Sequence, residues 1–145
     1  MPQPKQTYQN HVRFVPLFHY VVLPIVFANV IWTAWRVIET PRGEQIMGLL
    51  VAIALLLTAF FARVFALKAQ DRVIRLEMRL RLNELLPADL KPKIGSLSTS
   101  QLVALRFASD AELPGLVAKV LEDDIKVQKT IKTMIKDWQG DYTRV

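Results

Sequence analysis

The chain has 145 residues, of which 52% are hydrophobic and 22% charged, with a formal net charge of +6. That length holds one domain, or one membrane unit plus one small domain, and the apolar content excludes disorder and low complexity. With no cysteine, disulfides, thiolate metal sites and cysteine nucleophiles are excluded together.

The averages conceal a division along the chain. Residues 1–67 carry five Lys/Arg and two Asp/Glu, whereas residues 68–145 carry fourteen and eleven. Residues 1–13 form a short N-terminal segment containing Lys5 and Arg13. Residues 14–35 then run for 22 positions without a formal charge. As a helix this stretch extends about 33 Å, enough for the hydrocarbon core of a bilayer. A cleaved signal peptide has an apolar region of about 7–15 residues ending in a small-residue site. This stretch is longer and ends in Thr33-Ala34-Trp35-Arg36, so an uncleaved transmembrane helix is predicted. Pro24 should kink it or free a carbonyl. Asn29, the most polar residue deep in the span, should face protein, because a bare amide in hydrocarbon is costly.

His11 and His19 are eight residues apart, with Pro16 between them. Eight residues of helix turn by about 80°, so the rings do not share a face closely. They read as interfacial polar groups, and ligation of metal or haem is open only between helices or subunits.

Residues 36–45 form an external loop. Residues 46–67 make the second span, with Arg63 its only charge, placed near one end where it can snorkel. Gly48, Ala52, Ala59 and Ala66 recur on one side of it. The first reading is a groove that receives the first helix of the same hairpin, with Asn29 and these four as transmembrane packing residues. The alternative is a docking seam for another copy or a larger membrane partner. Arg36 and Arg42 in the loop are balanced by Glu39 and Glu44, while Lys5, Arg13, Lys68, Arg72, Arg75, Arg79 and Arg81 flank the spans on the other side. The positive-inside rule puts both termini in the cytoplasm. Tyr20, Trp32 and Trp35 are placed as interfacial aromatics.

Residues 68–145 read as a cytoplasmic helical domain. KAQDRVIRLEMRLRLNELL has no Gly or Pro and follows a helical span, so helix is predicted through Leu86 despite the strand-like alternation of Ile74, Leu76, Met78, Leu80 and Leu82. On that helix Ala69, Val73, Leu76 and Leu80 make one apolar stripe, and Ile74, Met78, Leu82 and Leu85 a second. Two stripes imply packing on two sides, or packing on one and dimerisation on the other. Between them runs a basic ridge of Lys68, Arg72, Arg75 and Arg79. It suits anionic headgroups, or pairing with Glu122-Asp123-Asp124, or a solvated face that sets topology. Residues 87–95, with Pro87, Pro92 and Gly95, form a connector. Ser98-x-x-Gln101 is a capping box that starts a helix to about Phe107, and Ser109-x-x-Glu112 is a second. The second should open a helix from near Asp110 to about Trp138, with Pro114 in its first turn and Gly140 ending it. Asp124 and Gln128 interrupt its apolar arc. They read as a buried register pair or a local opening, with Asp124 as an anchor for Arg106, or for a partner's basic group, the alternative. Trp138 and Tyr142 should pack on the domain or at the membrane interface.

The fold class expected is all-α: a two-helix transmembrane hairpin whose second helix continues into a small cytoplasmic helical domain. QNHVRFVPLFHY, QDRVIRLEMRLRL, LRFASDAELPGL and IKDWQGDYTRV together resemble an uncharacterised family of small bacterial two-span membrane proteins. The resemblance covers nearly the whole chain, with LRFASDAELP the most specific piece. It implies an integral membrane protein with a cytoplasmic helical domain and no particular activity, and the expected location is the bacterial inner membrane.

No nucleophile elbow, phosphate loop or dinucleotide fingerprint occurs, and neither catalytic residues, metal ligands nor a cofactor are predicted. The net charge of +3 on residues 68–145 is too small for nucleic-acid binding. The expected role is that of an accessory or scaffolding subunit of a larger membrane complex, with membrane lipids and a larger membrane protein or a second copy as partners. The alternative is a membrane-surface regulatory module that binds anionic lipid or an acidic partner through the basic ridge.

Overall fold

In a computed structural model that describes residues 6–9 and 15–141, the chain is helical, with no strand among the described residues. One isolated antiparallel bridge joins Ala108 to Trp138. The chain divides into two compact units. Residues 15–67 belong to the first, and residues 6–9 with 68–141 to the second.

The first unit opens with a π-helical stretch, Leu17–Val22, that passes into helix α1, Leu23–Glu39. Pro24 sits in the first turn of α1. Proline lacks an amide and crowds the carbonyl of the preceding turn. The wider π-helix just before it absorbs that crowding, and this local widening is how the expected distortion is realised. Residues 40–42 separate α1 from helix α2, Gly43–Leu85. The connection is therefore far shorter than the predicted loop 36–45. The helical stretches Leu17–Glu39 and Gly43–Leu85 are each long and apolar enough to cross a membrane.

α2 runs unbroken for 43 residues, so the strand-like alternation of Ile74 to Leu82 does not govern. It ends before Pro87, whose ring disfavours helix in the residue ahead of it. Within the second unit, Ile74, Met78 and Leu82 of α2, and Leu86 just after it, are buried in the core. A 3₁₀ turn, Lys91–Ser96, leads to helix α3, Thr99–Leu105. Helices α4, Leu113–Glu122, and α5, Gln128–Met134, follow. Leu102 and Leu105 of α3, Leu113, Val117 and Val120 of α4, and Ile131 of α5 complete the core. Removing a side chain of this size from water stabilises by about 1.5–3 kcal/mol each.

The single helix expected from Asp110 to Trp138 is two helices. Asp124 stands at φ 46°, and the Ile125 amide donates to the Val120 carbonyl at 3.0 Å. That pairing, six residues closing on one, is a Schellman turn. Aspartate tolerates the left-handed region better than most residues, and Ile125 packs back on the core.

Candidate functional site

Three polar side chains hold the second unit together. Gln101, 6% exposed, closes the capping box of α3. Its Oε1 accepts from the Ser98 amide at 2.8 Å, and its own amide donates to Ser98 Oγ at 3.2 Å. Its Nε2 also donates to the Ile125 carbonyl at 2.9 Å. The first turn of α3 is thus tied to the break between α4 and α5.

Arg81 reaches from α2 to the α3–α4 connection. Its Nε donates to Asp110 Oδ1 at 2.7 Å, and its Nη2 to the Ala108 carbonyl at 2.7 Å and to Gln139 Oε1 at 3.0 Å. Its Nη1 donates to the Arg106 carbonyl at 3.2 Å. Glu112 does not form the predicted second capping box, and α4 has no side-chain cap. Its carboxylate accepts instead from the amides of Lys136 and Asp137, each at 2.9 Å. Two amides at one carboxylate outweigh one cap.

Beside Arg81 lies an aromatic and charged cluster. Trp138 stacks on Phe107 at 4.6 Å between centroids and meets Tyr8 edge-on at 6.5 Å. Trp138 thus packs on its own domain, while Tyr142 lies outside the described residues. Arg106 lies over the Phe107 ring at 4.5 Å and pairs with Asp141 at 3.2 Å. The expected anchor of Arg106, Asp124, is exposed and pairs with Lys126 at 2.8 Å. Its hydrogen bond and charge raise the Lys126 pKa above the ordinary value. Gln128 is half-buried in the first turn of α5. Asp124 and Gln128 therefore stand at the break between α4 and α5.

Two grooves open on this unit. One, of about 350 Å³, is lined by Ile74, Glu77, Met78, Arg81, Arg106 and Asp141 among others. The other, of about 740 Å³, lies between the start of α4 and the residues after α5, and is lined by Ser109, Glu112, Lys119, Thr133 and Lys136 among others. The first takes its polar wall from Arg81, Arg106 and Asp141, and the second includes Glu112, all of which hold the fold.

On α2 the basic ridge is present as drawn from the sequence. Lys68, Arg72 and Arg75 are exposed and Arg79 is half-buried. Ion pairs among the described residues join Arg81–Asp110, Arg106–Asp141 and Lys126–Asp124, and none of these links the ridge to Glu122–Asp124. The two apolar stripes differ. Ile74, Met78 and Leu82 face the core, while Ala69, Val73, Leu76 and Leu80 are exposed.

In the first unit, Ala52 is fully buried, and Gly48, Ala59 and Ala66 are half-buried on the same side of α2. Trp32, Thr33 and Arg36 of α1 line a common groove with Glu44, Gln45 and Gly48. Asn29 lies elsewhere. It is exposed, whereas Leu23, Val26, Val30 and Val37 are half-buried. The expectation that Asn29 faces protein is not met inside the hairpin, because Val26 and Val30 take that face. The His19 Nδ1 accepts from the Val15 amide at 3.1 Å, and His11 lies outside the described residues. Among the described residues, no group of three His, Asp or Glu is placed to hold a metal ion.

The model of a family of unknown function, DUF6526, matches residues 1–145. The chain belongs to the DUF6526 family. No curated protein and no solved structure matches it.

Sequence reasoning did not single out Arg81 or Glu112 for their roles in this DUF6526 chain. Arg81 carries no local signal, since its oxygen partners lie 25–58 residues away. Gln101 was legible as a cap, but not as the link to Ile125.

Proposed function

We propose that this protein is a non-catalytic integral membrane protein, an accessory or scaffolding subunit of a larger membrane complex. Residues 14–35 and 46–67 would cross the bacterial inner membrane as a hairpin, with both termini and residues 68–145 in the cytoplasm. Three features support the topology. The two apolar helices have the required length. The basic residues concentrate outside the short connection. Residues 6–9 fold with residues 68–141, so the chain leaves that unit and returns to it, as two crossings require.

Asn29 carries the subunit reading. Its side chain is exposed, on the flank of the α1 face that carries the half-buried Val26, Val30 and Val37. In hydrocarbon such a group calls for a hydrogen-bonding partner from another chain. The most interior polar groups of the second unit, by contrast, are spent on holding α2, α3 and the α4–α5 break together. A photocrosslinking residue at position 29, in native membranes, should give one discrete adduct with a larger membrane protein. That protein should co-purify in mild detergent and be lost with Asn29→Leu. A chain that crosslinks only to lipid or to itself would overturn this reading.

The exposed ridge supports a second reading, a surface module for anionic lipid. Neutralising Lys68, Arg72, Arg75 and Arg79 should then strip bound anionic lipid from the purified full chain, read by native mass spectrometry. Unchanged lipid occupancy would reject it.

A further inference from the structure

The exposed stripe of α2 has a finer order than a general apolar face. Val73, Leu76 and Leu80 are 54%, 61% and 58% exposed. With Ala69 before them and Asn83 after, the steps along the helix are four, three, four and three. This is the repeat of a two-stranded coiled coil, with Val73 and Leu80 at a positions and Ala69, Leu76 and Asn83 at d. The flanks then sort by sign. Arg72 and Arg79 fall at g, and Glu77 and Glu84 at e.

In a parallel pair, each g residue lies against the e residue five positions on in the other helix. Arg72 then meets Glu77 of the second copy, and Arg79 meets Glu84 of the second copy, each twice by symmetry. An antiparallel pair would set Arg against Arg and Glu against Glu. The pattern is thus self-complementary in one orientation alone. These four side chains take part in none of the three ion pairs named above.

We propose that the protein forms a parallel homodimer through the 69–84 face of α2. The Val73–Leu76 pair, β-branched at a with leucine at d, is the combination that favours two strands. The opposite face of this stretch is taken by the core, through Ile74, Met78 and Leu82, so the apolar seam points away from the unit's own core. A seam of little more than two heptads is short for chains free in solution. Copies held in one bilayer share an orientation and gain a high effective concentration. The dimer rests on the face of α2 and not on the subunit reading, since either interaction can exist without the other.

The absence of native cysteine makes the test direct. Single substitutions Val73→Cys, Leu76→Cys and Leu80→Cys in the full chain, oxidised in native membranes, should give disulfide dimers. Asp71→Cys and Arg75→Cys, on other faces of the same helix, should give few. Glu77→Arg with Glu84→Arg should cut crosslinking at Leu80→Cys about tenfold, since four interhelical pairs turn repulsive together. Adding Arg72→Glu and Arg79→Glu should restore it. All these positions are exposed except Asp71 and Arg79, which are half-buried, and circular dichroism of each variant checks that the fold is kept. Equal crosslinking on every face, none at 73, 76 and 80, or no recovery in the charge-swapped chain would overturn the dimer.

Discussion

Gln101 shows how one side chain can be readable and yet misjudged. Its distance from Ser98 gives the cap away, because capping is local and needs only four residues. Its second task, holding the Ile125 carbonyl, depends on a chain reversal 24 residues on, which no spacing announces. Gln101→Leu should destabilise the protein by about 1–2 kcal/mol, since a part-buried carbonyl and an amide lose their partner together. Thermal unfolding of the full chain in detergent measures this. Asp124 was conspicuous in the sequence for a different reason. An acidic residue in an apolar arc looked like a buried anchor, but it marks the left-handed turn between two helices. The apolar positions on either side stay close to one helical phase, so periodicity alone runs straight through the break. Asp124→Gly should leave stability unchanged or raise it slightly, while Asp124→Val should cost about 1–2 kcal/mol, because a branched side chain is strained at positive φ. The same unfolding measurement distinguishes them.

At the level of elements, α2 was the most legible. Its length and the lack of Gly and Pro from position 49 to 86 outweighed a strand-like alternation. The alternation itself has a physical origin: a helix that is apolar on two separate faces spaces its large residues every second position over a short run. The two faces should respond differently to truncation. Leu82→Ala, in the core, should cost about 2–5 kcal/mol. Leu76→Ala, on the outer stripe, should stay within about 0.5 kcal/mol in a dilute detergent-solubilised chain. The connection after α3 was misread because its pattern fits a capping box and its side chain has a better option. Glu112 binds the two amides after α5, which pins that segment near the start of α4. Glu112→Ala should therefore speed hydrogen exchange at Lys136 and Asp137, with little change in α3.

For the whole molecule, the charge distribution said more than the total charge. A net +6 suggests a partner of opposite charge, whereas the positions of the basic residues suggest a side of the membrane. The hairpin topology predicts opposite exposure for Thr40 and Ser100. With Thr40→Cys and Ser100→Cys in the cysteine-free chain, a membrane-impermeant maleimide applied to intact cells should label the first alone. Labelling of the second alone would invert the topology. The division into an apolar unit and a mixed-charge unit was visible from composition. The joining of residues 6–9 to the second unit was not, because that segment is short, polar and distant from its partners in sequence.

That joining bears on the order in which the protein is completed. Gln6 Nε2 donates to the Asp141 carbonyl at 3.1 Å, and the Asp141 amide donates back to Gln6 Oε1 at 3.0 Å. The two residues are 135 positions apart, so the first is synthesised long before the second. Closing so long a loop is entropically costly unless the intervening chain is already folded. The pair therefore forms last, after the helices between its members are in place. It is a clasp set after the helices, and a chain cut short of Asp141 would keep its helices in position and hold residues 6–9 by the Tyr8–Trp138 contact without that clasp.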